Sequence, residues 1–176
     1  MRVTFPRLPD GSRAYCLVVR DDGVRYRVFE GVAGPKIPHD LVHFIVERET
    51  DEDGGFWGAV AAGAVFSSMV HLDGRRPPHA AERSAAAIRA RSGRLQRAEL
   101  MAGLVTRIVD QRIATTDAVH TAARDTLSTL PDSSVDAHRV LAAAAVLRRT
   151  AYEWELLHPG ENLSLDWPQT RQRPSS

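Results

Sequence analysis

Apolar and polar residues alternate along short runs near the N-terminus. In residues 24–29, apolar side chains alternate with arginines, which is the period-two pattern of a strand with one buried face. A first run spans residues 13–20, and Asp22-Gly23 between the two runs is a strong hairpin signal. Together with a strand over residues 2–6, the pattern predicts a small antiparallel sheet.

The chain then changes to helical spacing. Residues 38–50, with Pro38 at the first helical position, place their apolar side chains on one broad face. A Ser133–Asp136 capping box is expected to open the last helix, and residues 162–167 alternate again as a strand returning to the sheet. Further helices are predicted over residues 56–70, 79–114 and 116–131, with a break at Ser92-Gly93 in the second of them, and the last helix is predicted over 135–157. A loop is expected over residues 71–78.

These elements predict an α+β fold, in which a small N-terminal antiparallel sheet packs on a predominantly α-helical body. A chain of 176 residues suits one domain. We expect a single globular domain over residues 1–168, and a disordered polar tail over residues 169–176. Within that domain the regions are a β-hairpin region at 1–30, a helical region at 38–157 and a terminal strand at 162–167.

Composition removes several classes of protein. The formal net charge is +1, which gives no overall attraction to nucleic acid or to anionic lipid. Cys16 is the only cysteine, so intrachain disulfides and cysteine-based zinc modules are excluded. The sequence has no apolar run long enough to be a transmembrane helix and no apolar signal-peptide core at its start. We therefore expect a cytoplasmic protein that does not bind membranes.

The densest group of chemically active side chains lies on the predicted helix at 38–50. His39, Asp40, His43 and Glu47 project at about 0°, 100°, 40° and 80° around its axis, roughly one quadrant. Two histidines one turn apart can offer two nitrogens to one metal ion, and Glu47 can add a carboxylate or orient His43. The helix dipole disfavours a protonated His39, which keeps that imidazole free to bind metal.

Three interpretations of this stripe stay open. A centre of His39, His43 and Glu47 would suit Zn²⁺, Fe²⁺ or Mn²⁺, because its donors are nitrogen and oxygen. A site for another ligand, or for proton transfer, would use Asp40 with Trp57 as a pocket wall, although Trp57 also fits core packing. The stripe equally fits the solvated face of an amphipathic helix. Further ligand candidates are the pairs His71 with Asp73 and His79 with Glu82.

Two segments resemble known sequence blocks. PHDLVHFIVE at 38–47 and GFWGAVAAGA at 55–64 resemble the PHDLxHFxVE…GFWGxVAxGA block of uncharacterised bacterial proteins of the actinobacterial type, which brings no established activity. HDLVH at 39–43 is similar to the HDxxH motif of the ubiquinone-biosynthesis family Coq4, but the glutamate that follows in that family falls on Gly55. The pattern of HD-type nucleotide phosphohydrolases needs an earlier histidine, whereas His39 is the first here.

Two further hypotheses concern macromolecular partners. Alanine-rich helices, such as the one that contains residues 141–146, permit close contact between helices. They predict a non-enzymatic interaction protein that forms a homodimer or binds another partner. Arg83, Arg94 and Arg97 would form a phosphate-contacting stripe within residues 75–97 if that helix were continuous. The stretch has no interleaved aromatic residues and no recognition-helix motif, so we do not expect nucleic acid as the main partner.

Overall fold

Five strands form one antiparallel sheet in the computed structural model, which describes residues 1–168. The strands are β1 (Arg2–Pro6), β2 (Arg13–Val19), β3 (Arg25–Val32), β4 (Met69–Asp73) and β5 (Asn162–Asp166). Their spatial order is β4-β3-β2-β1-β5, and every neighbouring pair is antiparallel. The sheet is therefore completed by two edge strands that lie far from the N-terminal hairpin in sequence.

The predicted hairpin between β2 and β3 is confirmed. Gly23 has a φ of +80°, a left-handed conformation that glycine adopts without steric cost. The Asp22 carboxylate accepts a hydrogen bond from the backbone N–H of Val24 at 3.2 Å, which supports the turn. The predicted C-terminal strand is also confirmed, because β5 pairs with β1 and places Leu165 opposite Val3.

Six helices form the body that packs against the sheet within residues 1–168. They are α1 (His39–Thr50), α2 (Phe56–Ala61), α3 (Ala80–Ala90), α4 (Ser92–Asp110), α5 (Thr116–Thr126) and α6 (Ala137–Leu156). Helix α1 lies against both α4 and α6. Its Phe44 meets Phe5 of β1 edge to face, with ring centroids 6.3 Å apart, so α1 connects the sheet to the helices. The α+β prediction is confirmed.

The prediction of one helix over residues 56–70 is wrong. Helix α2 ends at Ala61, and Gly63 has a φ of +103°, which stops the helix. Residues 69–73, part of which was expected to be a loop, form β4 instead and pair with β3. Alanine-rich composition favoured a helix locally, but the free edge of β3 gains backbone hydrogen bonds only from a partner strand.

Smaller corrections concern the ends of elements. Pro38 precedes α1 as its N-cap residue rather than opening it. Asp136, not Ser133, caps α6, and its carboxylate accepts hydrogen bonds from the backbone N–H groups at 138 and 139. The long helical region does break, at Arg91 between α3 and α4. The predicted disordered tail at 169–176 lies outside the described residues.

Among the helices of residues 1–168, none combines the length and the apolar character needed to cross a bilayer.

Candidate metal centre

The polar stripe of α1 begins where β3 ends. Glu30 of β3 accepts a hydrogen bond from the backbone N–H of Asp40 at 3.1 Å, and so satisfies one of the free N–H groups of the first turn. On the opposite side of α1, Leu41, Phe44 and Ile45 are fully buried. This burial fixes the rotation of the helix and turns the stripe toward the first half of α4.

The two histidines lie side by side, as their spacing predicts. The rings of His39 and His43 have centroids 4.5 Å apart. His39 is exposed, whereas His43 is only 4% exposed. The pair therefore has one solvent-facing and one buried imidazole.

A third donor comes from α4. Nε2 of His43 lies 3.3 Å from Oε2 of Glu99, and His39, His43 and Glu99 can each present one ligand atom within 4.8 Å of the others. Two donors bound to one tetrahedral ion at about 2.0–2.2 Å lie about 3.3–3.6 Å apart. The separation between His43 and Glu99 thus fits an ion between them. A second, overlapping group contains Glu30, His39 and Asp40.

Glu47 occupies a different position from the one predicted for a metal ligand. It is 1% exposed, and its Oε2 accepts hydrogen bonds from the backbone N–H groups of Trp57 at 2.9 Å and Gly58 at 3.2 Å. The carboxylate therefore caps the first turn of α2, where negative charge is favoured. Its Oε1 lies 3.8 Å from Nδ1 of His43, on the other side of that ring from Glu99.

Two glycines allow this close approach. A Cβ atom on Gly55 would lie 2.3 Å from Cδ of Glu47, and one on Gly58 would lie 2.1 Å from the backbone oxygen of Asp53. Both distances are far below van der Waals contact. The glycines of the GFWG segment are therefore explained by the Glu47 carboxylate and by the tight loop that leads into α2.

Trp57 lies in the core rather than along a pocket. It is fully buried, and its ring meets Phe5 and Phe44 edge to face with centroids 6.1 and 5.5 Å away. Its Nε1–H donates to the backbone oxygen of Asp40 at 2.8 Å. This bond links the beginning of α1 to α2, so Trp57 supports the site from behind.

The electrostatics of the cluster follow from burial and crowded carboxylates. Burial raises the pKa of Asp40 to about 7, and the nearby Glu30 and Glu99 add to the effect. Burial raises the pKa of Glu47 to about 8, although backbone N–H groups from Gly58, Trp57 and Phe56 oppose the change. Burial also lowers the pKa of His43 from its ordinary value, which favours a neutral imidazole.

The predicted arginine stripe is interrupted in the structure. Its premise was a continuous helix, but α3 and α4 are separate. Arg97 is held by the Glu52 carboxylate at 2.8 Å, and its other nitrogens donate to the backbone oxygens of Asp132 and Ser134. It therefore anchors the loop before α6 instead of projecting freely with the other arginines.

Comparisons of the chain with family models, curated proteins and solved structures find no match. The site must therefore be interpreted from its own geometry. Sequence reasoning found both histidines but missed Glu99 and Glu30, since neither lies on α1. No local pattern marks them, because Glu99 looks like an ordinary exposed helix residue and Glu30 like the end of a strand.

Proposed function

We propose that this protein binds a divalent metal ion through His39, His43 and Glu99. Glu47, in this proposal, orients His43 rather than binding the ion directly. The single observation that carries the proposal is the position of the buried His43 ring between two carboxylates. The donor spacing of His39, His43 and Glu99 supports it independently.

A neutral imidazole has one N–H, and when Glu47 is ionised His43 faces an acceptor on each side. If Nδ1–H points to Glu47, the lone pair on Nε2 faces Oε2 of Glu99. Nε2 makes no hydrogen bond of good geometry within residues 1–168. Burial lowers the pKa of His43 and so disfavours a second proton on the ring, although the nearby Glu99 carboxylate opposes this. A metal ion at Nε2 would bind both this lone pair and the Glu99 carboxylate. A carboxylate that orients a metal-bound histidine from behind is a common arrangement.

The chemistry of the donors limits the choice of ion. Two imidazole nitrogens and one carboxylate oxygen suit Zn²⁺, Fe²⁺ or Mn²⁺. Three protein ligands leave at least one position for water or for a substrate atom, as in catalytic rather than structural sites. Asp40 and Glu30 can each present a carboxylate oxygen within 4.8 Å of a His39 nitrogen, close enough to accept or donate a proton there.

The direct test is metal titration of the full chain after removal of metal by a chelator, followed by calorimetry and elemental analysis. We expect one ion per chain, and a loss of affinity on the order of 100-fold or more in His43→Ala and in Glu99→Gln, because each removes a direct ligand. His79→Ala is the matched control, since His79 also pairs with a carboxylate, that of Glu82 at 2.9 Å, but both are exposed and remote from the site in sequence.

Circular dichroism separates loss of metal from unfolding. His43→Gln is a second replacement of His43 that disturbs the packing less than His43→Ala. Unchanged metal affinity in Glu99→Gln would remove Glu99 from the site. A wild-type chain that gains neither bound ion nor thermal stability with Zn²⁺, Fe²⁺ or Mn²⁺ would refute the proposal. The cluster would then be a proton-transfer or organic-ligand site built from the same residues.

Glu47 as a direct ligand is distinguishable from Glu47 as an orienting group. Cobalt(II) in the site reports its ligands by visible absorption. Glu47→Gln should leave that spectrum nearly unchanged and lower affinity by about 10–100-fold, which is typical for an outer partner. A change of spectrum as large as that of Glu99→Gln would instead make Glu47 a ligand.

A second candidate function is self-association through α6. Tyr152 and Leu156 lie one turn apart on this helix and are 63% and 58% exposed. Exposed apolar pairs of this kind are favourable contact points between copies of a chain. Sedimentation equilibrium of wild type beside Tyr152→Arg tests it, and a monomer at all concentrations would exclude a homodimer.

A further inference from the structure

A groove of about 780 Å³ begins at the proposed metal centre and lies among α1, α4 and α6. His39 and Glu99, two of the three proposed ligands, line this groove. Its volume falls within the range of sites for small organic molecules. The apolar residues that line it are Ile37, Val42, Ala102, Gly103 and Ala151.

At Gly103, the fold leaves the groove free of side-chain atoms. It lies in the interior of the 19-residue α4, where glycine is less favourable than alanine. A Cβ atom at this position would meet no described atom within 4 Å. A methyl group here would therefore project from α4 without touching the rest of the protein. The short side chains of Ala102 and Ala151 widen the same space.

The charge at the head of the groove is positive once an ion is bound. A divalent ion held by one carboxylate and two neutral imidazoles carries one net positive charge, so an anionic group fits an open position on it. Lys36, the only lysine in the chain, also lines the groove. Because α1 and α4 are antiparallel, as the contacts of His43 with Glu99 and of Glu52 with Arg97 show, Lys36 lies toward the Asp110 end.

The groove extends well beyond its head. Along α4 it is lined from Glu99 to Asp110 and Gln111, which is about 16 Å of helix. At that end Asp110 and Glu155 are offset by Lys36 and Arg107, and Arg107 also pairs with Asp125 at 3.5 Å. Net positive charge is therefore concentrated at the head, where the ion would be bound.

We propose that this groove binds an elongated organic anion. Its carboxylate or phosphate oxygen takes an open position on the metal ion, and its apolar body lies over Ala102 and Gly103. The inference rests on the proposed metal-binding function, since the ion supplies the positive charge at the head. It adds the class of ligand and names Gly103 as the residue that leaves room for the apolar body.

The test uses the full chain loaded with Co²⁺, whose visible spectrum responds to a new ligand. The probes are octanoate and octyl phosphate, with acetate and inorganic phosphate as short counterparts that share the head group. We expect one long probe to bind at least about tenfold more tightly than its short counterpart, because its chain buries apolar surface in the groove. The two pairs of probes identify the preferred head group.

Gly103→Leu should abolish this preference for the long probe while changing Co²⁺ affinity by less than about twofold, because the new side chain fills the groove and not the metal centre. Gly93→Leu is the matched control, since Gly93 is also in α4, also has nothing within 4 Å of its Cβ position, and does not line the groove.

The outcomes separate this inference from the proposed function. Tight Co²⁺ binding with equal affinity for long and short probes overturns the inference and leaves the metal centre standing. A preference for the long probe that survives in Gly103→Leu also overturns it, because the chain would then lie elsewhere. Failure of the wild type to bind Co²⁺ or any of the proposed ions refutes the metal centre, and the inference falls with it.

Discussion

The two carboxylates that flank His43 differ in nearly every physical respect. The side chain of Glu47 is 0% exposed, whereas that of Glu99 is 64% exposed. Glu47 accepts two backbone hydrogen bonds and caps α2, while Glu99 lies at the head of an open groove. The comparison separates the site into a buried end that belongs to the fold and an open end available to a ligand.

The largest expected difference is in stability. Glu47→Ala should lower the free energy of unfolding by about 3 kcal/mol, because the buried N–H groups of Trp57 and Gly58 lose their acceptor. Glu99→Ala should change it by less than about 0.5 kcal/mol, as expected for an exposed surface residue. Urea denaturation of both variants, with chelator present, makes the comparison. Equal effects would mean that the two ends of the site are not distinct.

The pH dependence of stability should come mainly from the buried end. The pKa of Glu47 is raised from 4.5 to about 8 on folding, so between these values the folded chain keeps a proton that the unfolded chain releases. The free energy of unfolding therefore falls as pH rises from 4.5 to about 8 and levels off above that. Since one pKa unit is worth about 1.4 kcal/mol, the rise from 4.5 to about 8 sets an upper limit of about 5 kcal/mol on this fall.

Glu47→Gln keeps an acceptor for α2 but has no proton to lose, so most of this slope should disappear. A smaller slope with the same sign should remain from Asp40, whose pKa is raised to about 7. The measurement is urea denaturation of metal-free protein at several pH values. Parallel curves for wild type and Glu47→Gln would show that another group causes the slope.

Alanine substitutions at two glycines test the same difference between the buried end and the open end of the site. Gly55→Ala should destabilise the protein by about 2 kcal/mol, because the added methyl group would collide with the fixed Glu47 carboxylate. Gly103→Ala, at the open end, should instead stabilise it by up to about 1 kcal/mol, because the methyl group meets nothing and alanine favours a helix. Thermal denaturation of both variants gives the sign. A stable Gly55→Ala protein would mean that Glu47 moves freely.

A smaller loss than that of Gly55→Ala is expected behind the site. Trp57→Phe keeps an aromatic ring in the core but removes the hydrogen bond from Nε1 to the backbone oxygen of Asp40. We expect a loss of about 1–2 kcal/mol in the free energy of unfolding, with metal affinity changed by less than about threefold. A large loss of metal binding in a well-folded Trp57→Phe protein would instead give Trp57 a role at the ligand.

Much of the fold was predictable because its signals are local. The Asp22-Gly23 turn and the alternation in residues 24–29 predicted β2, β3 and the hairpin between them, and the alternation in 162–167 predicted β5. The error at residues 56–70 has a definite cause. Alanine-rich sequence favours a helix over a short range, but β4 forms because it completes an edge of the sheet.

The sequence by itself determined the adjacent histidines, since one turn of helix fixes their spacing whatever surrounds it. It also placed Glu47 on the same face, but helical geometry could not say whether that face is wet or buried. Only the tertiary structure decided that Glu47 caps α2 and that Glu99 approaches from α4. The physical reason is that burial and contact between distant segments depend on helix packing, which fixes the carboxylates around His43 and has no local pattern in the chain.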